Sequence, residues 1–474
     1  MHDYDWLVIG SGPAGEKGAV QAAWFGKRVA VVERAPVYGG ACVHTGTLPS
    51  KTLRETALYL SGHRQREMYG VDLHLARDVS VHDLMCRQSA VLGSESERIA
   101  RNFERHGVAV LSGAASFVDA HTVRITPADA APYTVTADAV LIATGTRPFR
   151  PAFVPFDDPQ IDCSDTILDL DRIPRAMVVL GGGVIGCEYA SIFAALGCKV
   201  TIVESRRQIL GFLDPEINSL LTSALERLGC EILLDREVTS VGRDAAGVLT
   251  CTLADGHTLP CERLLFAGGR SGNTESLGLE HLGVKPNARG LLNCDANYRV
   301  VGAEGGRVYA AGDVVGFPAL ASVAMEQGRV AACHAFDLGY KTSVSPLFPY
   351  GLYTIPEVAT VGETEAEARA RGEDVEVGRA LYRDNARGQI VGDLQGMLKL
   401  VFRAGDKRLL GVHIIGERAT ELVHIGQVVM GVGGGIDHFV GQVFNFPSLG
   451  EMYKYAAYDG LGRVARRGAQ PTAQ

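Results

Sequence analysis

At 474 residues the chain is long enough for about three domains, with ample material for buried cores. A net charge of −8, a near-average apolar content, and no lysine- and arginine-rich stripe outside Arg463-Val464-Ala465-Arg466-Arg467 describe a soluble acidic protein and speak against a nucleic-acid surface. No apolar run reaches the roughly 20 residues of a membrane span. Nor does a basic or cleavable apolar segment precede the first strand. The ten cysteines include no C-x-x-C pair, which suits a reducing cytosol better than a secreted disulfide scaffold.

Tyr4 to Ile9 reads as a short buried strand, followed at once by Gly10-Ser11-Gly12-Pro13-Ala14-Gly15. A helix then runs to about Gly26, and the apolar strand Arg28 to Val32 ends at Glu33. This is βαβ order with glycines at the first turn, where a pyrophosphate must approach the backbone N–H groups of a helix N-terminus. Glu33 falls where a carboxylate can accept both hydroxyls of an adenosine ribose. One such motif alone would also fit a tight turn in any α/β fold. The unit recurs, however: strand Ala176 to Leu180, then Gly181-Gly182-Gly183-Val184-Ile185-Gly186, a helix to about Gly197, and strand Lys199 to Val203 leading to Glu204. Gly10, Gly15, Gly26 and Glu33 map onto Gly181, Gly186, Gly197 and Glu204 with the single offset of 171 positions. Two copies of a dinucleotide-binding fold are therefore expected, one for FAD and one for a nicotinamide cofactor.

Between the copies, Ser50 to Leu60 and Val81 to Arg105 read as helices, and Ala139 to Ala143 as a strand running into Thr144-Gly145-Thr146-Arg147-Pro148. The second copy continues to Phe266 and Ala267-Gly268-Gly269-Arg270; Arg307 to Ala311 is a strand ending in Gly312-Asp313. From about Tyr350 strands (Thr354 to Val361, Met397 to Phe402, Leu409 to Ile415) alternate with helices and the nucleotide motifs stop. Gly431 to Gly435 is expected to be a mobile loop and the last dozen residues to be disordered. His413 and His424 have no near-spaced ligand partner and read as structural, so no metal site is expected.

The segment Gly39-Gly40-Ala41-Cys42-Val43-His44-Thr45-Gly46-Thr47-Leu48-Pro49-Ser50-Lys51 resembles the active-site stretch of the flavin-dependent pyridine nucleotide-disulfide oxidoreductases, the family of lipoamide dehydrogenase and glutathione reductase. The resemblance runs from Tyr4 to about Arg463. It implies an α/β protein with two Rossmann-like dinucleotide-binding domains and an α+β C-terminal dimerisation domain. The segments are 1–150 (FAD domain, first part), 151–275 (NAD(P) domain), 276–345 (FAD and central domain, second part) and 346–474 (interface domain of a homodimer). By the same resemblance Gly10, Gly12, Pro13, Ala14, Gly15, Glu33, Cys42, Lys51, Ala115, Thr144, Gly145, Asp313 and Ala321 contact the flavin nucleotide. Gly181, Gly183, Val184, Ile185, Gly186, Glu188, Glu204, Val238 and Gly269 serve the nicotinamide nucleotide. Asp313 by itself could equally be an ordinary helix N-cap. Lys51 and Glu188 are implied to pair near the flavin N5 edge, positioning the nicotinamide and balancing charge; two such residues also form the commonest surface ion pair.

Two departures from the family pattern bear on activity. The family has a second cysteine five positions after Cys42, and Thr47 stands there; a hydroxyl cannot form a disulfide. The family's closing segment supplies a proton-shuttling histidine from the partner subunit, and here Phe444-Asn445-Phe446-Pro447-Ser448-Leu449-Gly450-Glu451 puts Phe446 in its place. A phenyl ring transfers no proton. The dithiol half-reaction has lost both of its parts; Lys51 and Glu188 are the expected catalytic residues, and Cys42 is either a reactive, catalytic thiol near the flavin or, as is favoured, a packing or flavin-contact residue. The pattern resembles that of the soluble pyridine nucleotide transhydrogenases, which implies hydride transfer between NADPH and NAD⁺ through FAD, by ping-pong kinetics, in the cytoplasm. An NAD(P)H:quinone reductase or diaphorase is the nearest alternative; a lipoamide dehydrogenase and a non-catalytic flavin-binding sensor are more distant ones. Glu204 suits the free 2′-hydroxyl of NAD. Arg206 and Arg207 are either solvated loop residues or forks for a 2′-phosphate, and the expectation is that they admit NADPH while Glu204 retains NADH.

Overall fold

The computed structural model describes residues 2–62, 81–170 and 172–469. Its first sheet is built from strands that are apolar on both faces, as a parallel sheet covered by helices requires. In chain order the elements are β1 (Tyr4–Ile9), α1 (Pro13–Trp24), β2 (Val29–Glu33), α2 (Gly40–His44), α3 (Thr47–Ser61), α4 (Val81–Arg105) and β3 (Ala109–Ser112). There follow β4 (Ala114–Phe117), β5 (Thr122–Thr126) and β6 (Tyr133–Ile142), and, much later, β17 (Arg307–Ala310) and α7 (Ala321–Ala335). Strands β3, β2, β1, β6 and β17 lie side by side and all parallel. The ten-residue β6 does double duty: its first half pairs antiparallel with β5, its second half parallel with β1 and β17. Trp6, Leu7 and Val8 are fully buried there.

The second sheet repeats the pattern. It uses β8 (Ile161–Cys163), β9 (Ala176–Leu180), α5 (Val184–Ala195), β10 (Lys199–Val203), α6 (Pro215–Arg227), β11 (Glu231–Leu233) and β15 (Arg263–Phe266). The parallel order is β11-β10-β9-β15-β8. A small antiparallel meander, β12 (Val238–Arg243), β13 (Leu249–Leu253) and β14 (Thr258–Pro260), precedes β15. The glycines do the same work in both copies. A Cβ on Gly15 would lie 1.9 Å from the Gly10 carbonyl oxygen, and one on Gly186 would lie 1.9 Å from that of Gly181. Gly10 and Gly181 themselves adopt φ of 103° and 114°, which a side chain would strain. The chain leaves the first sheet through β7 (Thr146–Pro148) and returns through β16 (Arg270–Gly272), and the two crossings pair antiparallel as a ribbon between the domains.

The remaining sheet is antiparallel, β18 (Tyr350–Leu352), β19 (Val358–Gly362), β22 (Leu409–Ile415), β21 (Met397–Arg403) and β20 (Val375–Leu381) in spatial order. It is flanked by α8 (Glu365–Ala370), α9 (Ala386–Val391), α10 (Ala419–Gly431), α11 (Asp437–Gly441) and α12 (Met452–Ala469). Lys399, 3% exposed, reaches out of this sheet to Asp214, Glu216 and Glu365 at 2.9–3.0 Å. Asp214 caps the start of α6, so the cluster bolts the second nucleotide domain to the third domain.

Several expectations need correction. The strand expected from Thr354 starts at Val358, because Pro356 cannot donate to a ladder, and a further short strand, β18, precedes it. The glycine-rich run 431–435 is pinned, not mobile: Gly434 accepts from Leu409 N (3.1 Å), its own N–H donates to Val429 O (2.8 Å), and Ile436 N donates to Lys407 O (3.0 Å). The C-terminal residues expected to be disordered are helical to Ala469; Arg463 binds Asp459 one turn back and Arg467 reaches Asp374. Residues 470–474 lie outside the described residues. Val443, Phe446, Val432 and Val428 are 66–95% exposed on this domain. Among the described residues no helix is long and apolar enough to cross a membrane.

Candidate active site

A cleft of about 1200 Å³ opens beside the first glycine turn and runs between the three domains. That exceeds the usual 300–1,000 Å³ of a small-molecule pocket, as a dinucleotide site must. Of the residues expected at the flavin nucleotide, Gly10, Gly12, Pro13, Ala14, Glu33, Cys42, Lys51, Ala115, Thr144, Gly145, Asp313 and Ala321 all lie on its wall. Gly15 lies behind it, packed on Gly10. A Cβ on Gly12 would meet nothing within 4 Å, so the turn leaves room directly over the N-terminus of α1. Two buried hydroxyls on the wall, Thr144 Oγ1 and Tyr189 Oη, have no hydrogen-bond partner among the described residues. Asp313 accepts from Thr146 Oγ1 at 3.3 Å through one oxygen. Burial raises its carboxyl above the ordinary range, opposed by Arg270 and by the Thr146 hydrogen bond.

The carboxylate at the end of the second strand is held in nearly the same way in both copies. Glu33 Oε2 accepts from Ser11 N (2.9 Å) and Ser11 Oγ (2.7 Å), and its Oε1 from Ala35 N (2.9 Å). Glu204 Oε2 accepts from Gly182 N (2.8 Å), and its Oε1 from Arg206 N (2.9 Å). Here the copies part. The Arg206 guanidinium lies across Glu204, with Nε 3.0 Å from Oε1 and Nη2 2.8 Å from Oε2. Burial pushes the Glu204 carboxyl up, but the Arg206 side chain and the two backbone donors outweigh it and bring it to about 2. Arg207 is exposed and makes no ion pair among the described residues. Gly181, Gly183, Gly186 and Glu204 are not on the wall of the main cleft, whereas Val184, Ile185 and Glu188 reach it.

Lys51 and Glu188, 137 positions apart, meet at 2.7 Å. Lys51 comes from the first turns of α3, Glu188 from the second turn of α5. The other Glu188 oxygen accepts from Tyr353 N at 2.9 Å, and Lys51 Nζ stands 5.0 Å over the Tyr353 ring. One carboxylate therefore ties together three domains on the wall of the cleft. Tyr353 was not visible as a site residue in the sequence, since no motif surrounds it. Arg270 was missed as well. It donates to Thr146 Oγ1 and Thr146 O, both at 2.8 Å, and lines the cleft. Its neighbour Gly269, expected at the nucleotide, lies off the wall in a turn at φ 122°. Val238, expected near the adenine of the nicotinamide nucleotide, pairs with Leu253 and packs half-buried at the edge of the apolar cluster of Val178 and Val203. All ten cysteines are free. Burial raises the Cys42 thiol, a shift only partly offset by its hydrogen bond with Thr47. Phe446, 74% exposed, is not on the wall of its own chain's cleft. His413 is buried, bonded to Thr360 and to the Glu363 carbonyl; His424 bonds Gln427 at the cleft edge.

The sequence profile of the pyridine nucleotide-disulphide oxidoreductases matches residues 4–328, and that of their dimerisation domain residues 348–457. The chain belongs to this family. It is 47% identical over 466 residues to the soluble pyridine nucleotide transhydrogenase of Mycobacterium bovis, covering 98% of each chain. It is 41% identical over 465 residues to that of Pectobacterium atrosepticum, again covering 98% of each. Among solved structures it is similar to LpdA from Mycobacterium tuberculosis (TM-score 0.88, 28% identity, 96% of this chain and 99% of that one). It is also similar to the HOCl-induced flavoprotein disulfide reductase RclA from Escherichia coli (TM-score 0.86, 26% identity, with the same coverage). The family implies FAD, and the cleft fits it: Gly12 leaves open room at a helix N-terminus, Glu33 suits a ribose, and the unpartnered Thr144 hydroxyl and Asp313 face the space between.

Proposed function

We propose that this protein transfers hydride between NADPH and NAD⁺, as a homodimer in the cytosol, with one nicotinamide groove serving both nucleotides in turn. Bound FAD supplies the hydride acceptor and donor at the cleft. The chain's own groups do the rest. The N-termini of α1 and α5 receive the pyrophosphates, Glu33 and Glu204 the adenosine riboses, and Asp313 the flavin's polyol chain. Lys51, fixed by Glu188 and backed by the Tyr353 ring, offers a positive charge at the cleft wall where negative charge develops.

The observation that carries this reading is an asymmetry. The residues expected at the flavin nucleotide, Gly15 apart, line one cleft, whereas both parts that would handle a dithiol are replaced, Thr47 standing beside Cys42 and Phe446 in the closing segment. With one groove for two substrates, the first product must leave before the second substrate enters, so double-reciprocal plots should be parallel. A second reading has one feature in its favour. Leu347, Phe348, Tyr350 and Tyr353 form an apolar, aromatic stretch of the cleft wall against which a quinone ring could lie. The deciding experiment is anaerobic: the FAD-loaded protein is mixed with NADPH and then with an NAD⁺ analogue. Loss of flavin absorbance followed by its return, with reduced analogue appearing, supports transhydrogenation. Bleaching that only a quinone reverses moves the assignment to a quinone reductase.

A further inference from the structure

The two nucleotide copies serve as a control for each other. With the 171-position offset that aligns their glycines, Gly182 corresponds to Ser11, Glu204 to Glu33 and Arg206 to Ala35. The backbone donors agree closely: 2.9 Å from Ser11 N and from Ala35 N to Glu33, 2.8 Å from Gly182 N and 2.9 Å from Arg206 N to Glu204. The first copy has one side-chain donor, the neutral Ser11 hydroxyl at 2.7 Å from Glu33 Oε2; what the second copy adds is a charged fork that spans both oxygens. A carboxylate offers about four acceptor sites, two on each oxygen. On Glu204 the Ser205 hydroxyl approaches Oε1 at 3.3 Å, the backbone takes one site per oxygen, and the Arg206 fork takes another on each. Those last two sites are the ones that the 2′- and 3′-hydroxyls of an NAD(H) ribose need. The fork therefore covers the ribose site, leaving the Glu204 side chain only 5% exposed.

The same fork is not used up by Glu204. Of five guanidinium N–H groups, two are engaged and three remain, on a side chain that is 60% exposed. Its backbone is fixed, since Arg206 O accepts from Asp235 N and Glu204 O from Arg236 N, both at 3.1 Å. Only side-chain torsions need change for the fork to swing away.

We propose that Arg206 is a movable cover that lets one groove take two nucleotides of different charge. Resting on Glu204, it neutralises the carboxylate and presents its free N–H groups to the 2′-phosphate of NADP(H). Swung aside, it yields Glu204 to the ribose diol of NAD(H). Arg207, which shares no bond with Glu204, is not the discriminating residue. This deepens the transhydrogenase reading and rests on it for the identity of the two nucleotides. The groove's behaviour can still be tested without hydride transfer.

The test measures binding of 2′,5′-ADP and 5′-AMP, which lack the nicotinamide, to the FAD-loaded homodimer by calorimetry. Arg206→Ala should weaken 2′,5′-ADP by about 10- to 100-fold, as expected for one lost charge-assisted interaction. It should leave 5′-AMP unchanged or tighten it, because no fork must then be displaced. Arg206→Lys, which keeps the charge without the fork, should fall between Arg206→Ala and the parent for 2′,5′-ADP. Equal weakening of both ligands by Arg206→Ala, or a discriminating effect that follows Arg207→Ala instead, overturns the proposal. Failure of NAD⁺ analogue to restore the flavin absorbance in the anaerobic experiment would instead count against transhydrogenation, whatever the groove does with these two ligands.

Discussion

Glu188→Gln is the sharpest perturbation of the cleft. Glu188 accepts from two donors at once, Lys51 Nζ at 2.7 Å and Tyr353 N at 2.9 Å, with its carboxylate 5% exposed. A glutamine has one acceptor atom, so whichever way the amide turns, its NH₂ faces one of these donors. An unsatisfied buried group costs about 1–3 kcal/mol, and breaking a fully buried pair about 3–5 kcal/mol. Lys51 is 24% exposed and can recruit water, which places the loss near 2 kcal/mol as an order of magnitude. If Lys51 must be held by Glu188 as charge develops, that is roughly a 30-fold slower step. Stopped-flow loss of flavin absorbance on mixing with NADPH measures it, with FAD content checked in each variant. Lys51→Met should cost a similar factor. The double variant should be no slower than the worse single one, a coupling of about 2 kcal/mol. If the two single effects simply multiply, or Glu188→Gln stays within about twofold of the parent, the pair has no joint role in the reaction.

Two further outcomes follow from titrating groups. Cys42 is half-buried on the cleft wall and its thiol is raised by the burial, so alkylation by iodoacetamide should be slow at neutral pH and accelerate only in the alkaline range; rapid modification at pH 7, read by mass spectrometry, would indicate an activated thiolate. His413 is held neutral, because Nε2 must donate to the Glu363 carbonyl while Nδ1 accepts from Thr360, and burial lowers its pKa. The unfolded chain then binds the proton more readily, so stability is full above the unfolded value and is lost as pH falls below about 6.5. The urea midpoint should drop as pH falls below about 6.5 in the parent and less in His413→Gln, and equal drops would assign the effect to other groups.

What the sequence reveals of this fold is whatever repeats or follows a local rule. The two glycine turns, their helices and the carboxylates after them could be placed because each is a short-range constraint, and because one offset aligned both copies. The Lys51–Glu188 contact was legible only through the family resemblance, since nothing local joins residues 137 positions apart. Tyr353 illustrates the limit. It contributes a backbone N–H to Glu188 and a ring to Lys51, and a backbone donor has no signature in a sequence. The C-terminal helix was misread for a related reason. Arg463 pairs with Asp459 within the helix itself, but Arg467 resembles part of a solvated tail until the packing of Tyr453, Ala456 and Ala457 against the sheet brings Asp374 beside it. Arg206 was visible as a residue but not as a state, because free and carboxylate-bound arginines are written with the same letter.

That last distinction bears on how a family machine is repurposed. A disulfide reductase uses one groove for its nucleotide and the opposite side for its thiols, so the groove can be specialised for a single nucleotide. Once Thr47 and Phe446 remove the thiol side, both half-reactions must pass through the groove. A site that held either nucleotide very tightly would then stall on its own product. Under the proposed Arg206 movement, the NAD(H) ribose gains two hydrogen bonds to Glu204 only as two from Arg206 are given up. Since each charge-assisted bond contributes about 1.5–3 kcal/mol, the exchange cancels most of several kcal/mol. For NADP(H) the Arg206–Glu204 bonds persist, and the phosphate contact is partly offset by the nearby carboxylate. Under that movement, the lack of a disulfide and the presence of Arg206 answer one requirement, that neither nucleotide be held so firmly that the other cannot follow it.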